Sequence, residues 1–203
     1  LFRSMFNSAK FDVEQWEATS RDGTLIPYYI VAPKNMKRDH TRPTLLYGYG
    51  GFQSASLPFY SGTLGKAWLE KGGVYVLANI RGGSEFGPAW HQSVLKQNRQ
   101  KSFDDFIAIA TDLVFRGITS PKHLAIRGGS NGGLLVGVAL TQRPDLFNAV
   151  IAEVPLMDMS RFHRLLAGKF WIDEYGDPDD AVMGKVIRKY SPYQNLRPDK
   201  KYP

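Results

Sequence analysis

The chain contains no cysteine. That absence excludes a disulfide framework, a thiolate nucleophile and thiolate zinc sites. It fits a reducing compartment, so a cytoplasmic location is the expectation. No apolar run approaches the roughly 18 residues that a membrane-crossing helix needs, and no membrane contact is expected. No basic, apolar, small-residue order opens the chain, so no secretory signal is visible. Histidine is scarce: His40, His91, His123 and His163 are the four present, which restricts the candidates for a general base. Neither Leu1 nor the closing Lys201-Tyr202-Pro203 looks like a natural terminus, and the chain is expected to be a piece of a longer one.

What is present describes a globular domain. There are 203 residues, 43% hydrophobic and 22% charged, in the range of one ordinary domain. Aromatics make up 13%, enough for a large core or a binding pocket. The net charge is +7. A nucleic-acid partner is not expected from it, because the Lys and Arg are scattered. The densest local excess, Lys34, Lys37, Arg38 and Arg42, is interrupted by Asp39 and reads as a solvated loop.

Strand and helix patterns alternate. Leu25 to Ala32 reads as a strand, with Pro27 suggesting a sheet edge. Thr44 to Tyr47 is a short apolar strand ending in Gly48-Tyr49-Gly50-Gly51-Phe52. Residues 62–71 read as a helix. Gly73 to Ile80 is an unbroken apolar run of buried-strand length, as in a parallel sheet covered on both faces. Phe103, Phe106, Ile107, Ala110, Leu113 and Val114 recur at helical steps. Ser102 is placed to cap that helix, Asp104 and Asp105 sit in its positive first turn, and Gly117 follows as a stop. His123 to Arg127 reads as a strand, Leu134 to Leu140 as an apolar helix, and Asn148 to Val154 as a buried strand. The class is α/β with a mostly parallel sheet.

Gly128-Gly129-Ser130-Asn131-Gly132 matches G-x-S-x-G between an apolar strand and an apolar helix. That context is a nucleophile elbow, which lifts a serine hydroxyl above the sheet. The Asn131 N–H, at the helix start, faces a developing oxyanion. The turn is not a P-loop, since no Lys follows the glycines, and no G-x-G-x-x-G is present. The Gly48–Gly51 loop occupies the place of a second oxyanion donor. On the residues alone, Tyr49 divides between a hydroxyl donor and a packing aromatic.

Five motifs then occur in order: Leu46-Tyr47-Gly48-Tyr49-Gly50-Gly51-Phe52, Ala78-Asn79-Ile80-Arg81-Gly82-Gly83-Ser84-Glu85-Phe86-Gly87, Gly128 to Gly133, Gln142-Arg143-Pro144-Asp145-Leu146-Phe147 and Met157-Asp158-Met159. Together they resemble the catalytic α/β-hydrolase domain of the prolyl oligopeptidase family of serine peptidases, most firmly over residues 44–192. The resemblance implies Ser130 as nucleophile, with the Tyr49 hydroxyl and the Asn131 amide as oxyanion donors. It implies Phe52, Leu156, Trp171 and Tyr175 around a proline pocket, short peptides as substrates, and no cofactor or metal. It also places the triad Asp and His beyond Pro203, and makes residues 1–20 a lead-in from a β-propeller, with the hydrolase domain at 21–203. His163, the one histidine after Ser130, lies too near Asp158 in sequence to complete a triad and reads as an ordinary satisfied side chain. Asp173, Glu174, Asp177, Asp179 and Asp180 read as a solvated acidic loop. The rivals are an esterase or aminopeptidase-type hydrolase on the same elbow, and a non-catalytic hydrolase-like binding domain.

Overall fold

The computed structural model describes residues 5–203; the first four residues of the expected lead-in lie outside them. Among the described residues, six strands form one sheet in the order β1-β2-β4-β3-β5-β6. They are β1 (Phe11–Thr19), β2 (Leu25–Pro33), β3 (Thr44–Tyr47), β4 (Val74–Ala78), β5 (Leu124–Gly129) and β6 (Ala149–Glu153). β2 runs antiparallel to both neighbours, and the other three pairings are parallel. This sheet, with a strand–elbow–helix unit at the end of β5, is the expected α/β-hydrolase arrangement.

The helices are α1 (Gly62–Ala67), α2 (Pro88–Gln92), α3 (Gln100–Phe115), α4 (Asn131–Gln142), α5 (Ile172–Tyr175) and α6 (Met183–Tyr190). Alternation along the strands builds the core. Ile26, Tyr28 and Ile30 of β2, Val74 and Val76 of β4, and Leu124 and Ile126 of β5 are all buried, in one cluster with Phe103, Phe106, Ile109 and Leu113 of α3. Gly117 ends the α3 region in the left-handed conformation at φ +75°, the stop read from the sequence.

Four expectations are corrected. The boundary at residue 21 does not hold, because β1 pairs with β2 along all of Phe11–Thr19 and belongs to the hydrolase sheet. As an edge strand with both faces largely exposed, β1 needs no apolar alternation, so its pattern was mute. Pro27 lies in an interior strand. It sits one residue past the last β2–β4 pair, Tyr28↔Ala78, and its carbonyl accepts from the Asn79 N–H at 3.0 Å. Its missing donor thus falls at the ladder's end, where no acceptor is stranded. Residues 148–154 are not a buried strand: β6 is the last strand of the sheet among the described residues and is half exposed.

Ser102 is the fourth. α3 begins earlier, at Gln100, and Ser102 turns inward with no exposure. Its hydroxyl donates to the Arg81 carbonyl at 2.9 Å, with the Gly50 carbonyl also in reach at 3.2 Å. The neighbouring Asp105, likewise buried, does more than complement a helix dipole. It accepts from Arg81 Nε (2.8 Å), Arg81 Nη2 (2.6 Å), the Arg81 N–H (3.1 Å) and the Ser20 hydroxyl (2.6 Å). Arg81 reaches on to Asp22 at 2.6 Å and holds that carboxyl well below the usual carboxylate range. One buried guanidinium thus ties the β1–β2 turn, the loop after β4 and α3 together.

Asp105→Asn would leave Arg81 short of its buried counter-charge. In the protein that carries this chain, the unfolding free energy should fall by about 3–5 kcal/mol, read from the denaturant midpoint. An unchanged midpoint would contradict the role given to this pair.

Candidate active site

Ser130 joins β5 to α4 with φ +54° and ψ −115°, a conformation that costs a side-chain-bearing residue about 1–3 kcal/mol. Neighbouring bonds hold it there. Its N–H donates to the Glu153 carbonyl of β6 at 2.9 Å, and its carbonyl accepts from the Leu134 N–H at 3.1 Å. The turn is packed against the loop after β3. A Cβ on Gly132 would lie 2.5 Å from the Gly48 carbonyl oxygen, and one on Gly51 would lie 2.6 Å from Asn131 Nδ2. Glycine at both positions lets the two loops approach to backbone contact.

That contact brings Tyr49 to the serine. Burial pushes the Tyr49 phenol above its ordinary value, while the nearby Ser130 side chain pulls the other way. The phenol therefore keeps its proton at neutral pH and remains a donor. The Asn131 N–H opens α4 and has no acceptor within the helix. A serine hydroxyl, a phenol and the start of α4 thus lie together where the two loops meet, an arrangement suited to acyl transfer through a tetrahedral oxyanion.

The Asn131 side chain is buried with 1% exposure and enters a hydrogen-bond network. Its Nδ2 donates to the Tyr49 carbonyl at 2.6 Å. Its Oδ1 accepts from Arg99 Nη2 at 2.6 Å and from the Tyr175 hydroxyl at 2.7 Å. Arg99, also 1% exposed, donates to the Gly50 carbonyl at 2.9 Å and to Glu174 Oε1 at 2.8 Å. Glu174 accepts from the Phe52 N–H at 3.0 Å and lies 2.7 Å from His91 Nε2.

The pocket residues divide. Phe52 is partly exposed at φ +54°, and its ring meets Tyr175 edge-on at 5.7 Å. Leu156 and Trp171 are half-buried against the core, Trp171 ending the turn Gly168–Trp171 that leads into α5. Tyr175 departs from expectation. It has no exposed surface, and its hydroxyl is committed to Asn131, so it backs the pocket instead of lining it. The acidic loop is corrected too. Glu174 is a buried partner of Arg99, 75 positions away in sequence, a pairing no local pattern could announce.

His163 lies 3.0 Å from Asp179, while Asp158 pairs with Arg161 at 2.6 Å and with Gln194 at 2.8 Å. Neither joins Ser130. Ligand atoms of His163, Asp177 and Asp179 come within 4.8 Å of one another, but Arg164 already holds Asp179 through bonds of 2.8 and 3.0 Å. A cation is thus already in place there, on a side chain.

Comparison with known proteins decides the family. The model of the prolyl oligopeptidase family matches residues 61–203. The chain belongs to the prolyl oligopeptidase family. It is 56% identical over 198 residues to a peptidase of Sinorhizobium fredii, covering 98% of this chain and 27% of that protein. It is 41% identical over 199 residues to the prolyl endopeptidase of Elizabethkingia meningoseptica, covering 98% and 28%. Among solved structures, a post-proline cleaving enzyme from Rickettsia typhi matches with a TM-score of 0.96 at 51% identity, covering 98% of this chain and 29% of that one. The chain thus spans between a quarter and a third of the length of these relatives.

The strain at Ser130 is measurable apart from activity. Ser130→Gly should be more stable than Ser130→Ala by about 1 kcal/mol, since only glycine adopts this backbone without penalty, offset in part by its greater unfolded-state freedom. Denaturant unfolding of the two variants checks it; equal or reversed stabilities would mean that the elbow stores no strain.

Proposed function

We propose that the protein carrying this chain is a serine oligopeptidase that hydrolyses short peptides on the carboxyl side of proline through an acyl-enzyme. The observation that carries this reading is the strained elbow at Ser130, packed against the glycine loop that bears Tyr49. The relatives support the substrate class, since those named above include a prolyl endopeptidase and a post-proline cleaving enzyme.

In this reading Ser130 Oγ attacks the carbonyl carbon of the proline residue, and its proton passes to a histidine base outside the described residues. The carbonyl oxygen becomes an oxyanion, held by the Tyr49 hydroxyl and the Asn131 N–H. One such donor is worth roughly 10²–10³ in kcat. The base then protonates the leaving amine, an ester remains on Ser130, and water releases it by the same steps reversed. Phe52, Leu156 and Trp171 form the pocket for the pyrrolidine ring, with Tyr175 behind them. A proline ring has no N–H to satisfy, so an apolar aromatic wall binds it without an unmatched donor.

A fluorophosphonate probe applied to the protein carrying this chain should label Ser130, and Ser130→Ala should abolish both the label and cleavage of a proline-containing chromogenic peptide. Ester hydrolysis without preference for proline would favour the esterase rival, and no labelling at all the binding-domain rival. Residues 1–203 expressed alone should not turn over peptide, because among the described residues no histidine pairs with Ser130. Loss of triad members costs about 10⁶ in kcat. Turnover abolished by His163→Ala would overturn that expectation.

A further inference from the structure

Three polar side chains beneath the site, Arg99, Glu174 and His91, have no part in the chemistry above, yet they bond to the segments that bear it. Arg99 holds the Gly50 carbonyl and Asn131 Oδ1. Glu174 holds Arg99 and the N–H of Phe52. His91, on α2, closes the set at the other oxygen of Glu174. Glu174 and Arg99 are 5% and 1% exposed, and His91 14%.

The bond to Phe52 falls where the chain resists its conformation. Phe52 and Gln53 are consecutive non-glycine residues at φ +54°, and left-handed backbone of this kind persists only where surroundings over-determine it. The Glu174 carboxylate is one such determinant, delivered from α5 three residues after Trp171. The same carboxylate thus ties one pocket wall, Phe52, to the segment bearing the other, Trp171. Through Arg99 it ties both to the loop that presents Tyr49.

Resting on the proposed peptidase reading, we infer that Glu174 is a positioning residue that sets the preference for proline, by locking the Phe52 wall to the Trp171 segment and, through Arg99, to the oxyanion loop. Arg99 is chosen by geometry: its planar fork meets acceptors on Gly50, Asn131 and Glu174 at once, which a single lysine ammonium on a flexible stem does not reproduce. His91 fixes the carboxylate plane from the far side.

The test uses the protein carrying this chain, with proline and alanine peptides of one sequence. All rates are expressed per Ser130 labelled to completion by fluorophosphonate, so misfolded enzyme drops out. Glu174→Gln keeps the size and one acceptor oxygen but removes the charge that holds Arg99. We expect kcat per labelled serine to fall about 10²-fold, the loss associated with ångström-scale misplacement of catalytic groups, and the proline-to-alanine ratio of kcat/KM to fall several-fold. A purely structural role would lower the labelled fraction and leave both quantities per site unchanged, and that result overturns the inference. Should Glu174→Gln yield no labelled enzyme, Arg99→Lys and His91→Gln carry the same reading, with a smaller drop in the ratio for His91→Gln; a wild-type ratio in both overturns it. Labelling at a residue other than Ser130 would instead overturn the peptidase mechanism itself, so the two failures are distinct.

Discussion

The guanidinium of Arg99 is buried, and the surrounding loops bring acceptors to both of its terminal nitrogens while Nε has no partner. An unpaired charge in such a place is far more costly than a paired one, and breaking a buried pair typically costs about 3–5 kcal/mol. Arg99 therefore constrains its acceptors as strongly as they constrain it. Those acceptors are the Gly50 carbonyl, the Asn131 side chain and Glu174, one from each of the three segments that build the site. A second buried arginine, Arg81, acts in the same way, fastening the loop after β4 to α3 through Asp105. Between the two, the Ser102 hydroxyl reaches the carbonyls of both Arg81 and Gly50, so the two networks share a side chain.

This framework explains how a strained elbow persists. Ser130 is held from the β6 side through the Glu153 carbonyl, and the next residue, Asn131, is held from the other side by Arg99, Tyr175 and the Tyr49 carbonyl. The sheet supplies the position and the buried polar network supplies the orientation.

The fold was legible where one periodicity ruled: the apolar run of β4, the helical steps of α3, the Gly117 stop and the strand–turn–helix around Ser130 all stand where the residues placed them. The close approach of the two glycine loops was legible, because glycine spacing reports backbone contact, whereas the residues alone left Tyr49 divided between donor and packing aromatic. β1 was illegible because an exposed edge strand needs no alternation, and Pro27 misled because a ladder's end tolerates proline as an edge does. Ser102 and Asp105 were read as local helix chemistry, although their partners lie on other elements. Glu174 sat among Asp173, Asp177, Asp179 and Asp180 with nothing local to mark it as buried. The family resemblance places Tyr175 around the pocket, while its hydroxyl commits it to the layer behind.

The central claim is that the Arg99–Glu174 brace acts on the reaction through the oxyanion loop. A double-mutant cycle of Tyr49→Phe and Glu174→Gln, read as kcat per labelled serine, tests it most directly. If the brace works by placing the Tyr49 hydroxyl, a variant lacking that hydroxyl has less left to lose, and the double variant should fall well short of the product of the two single losses. Strict multiplicativity of the two losses would mean that Glu174 and Tyr49 act independently, and would contradict the account.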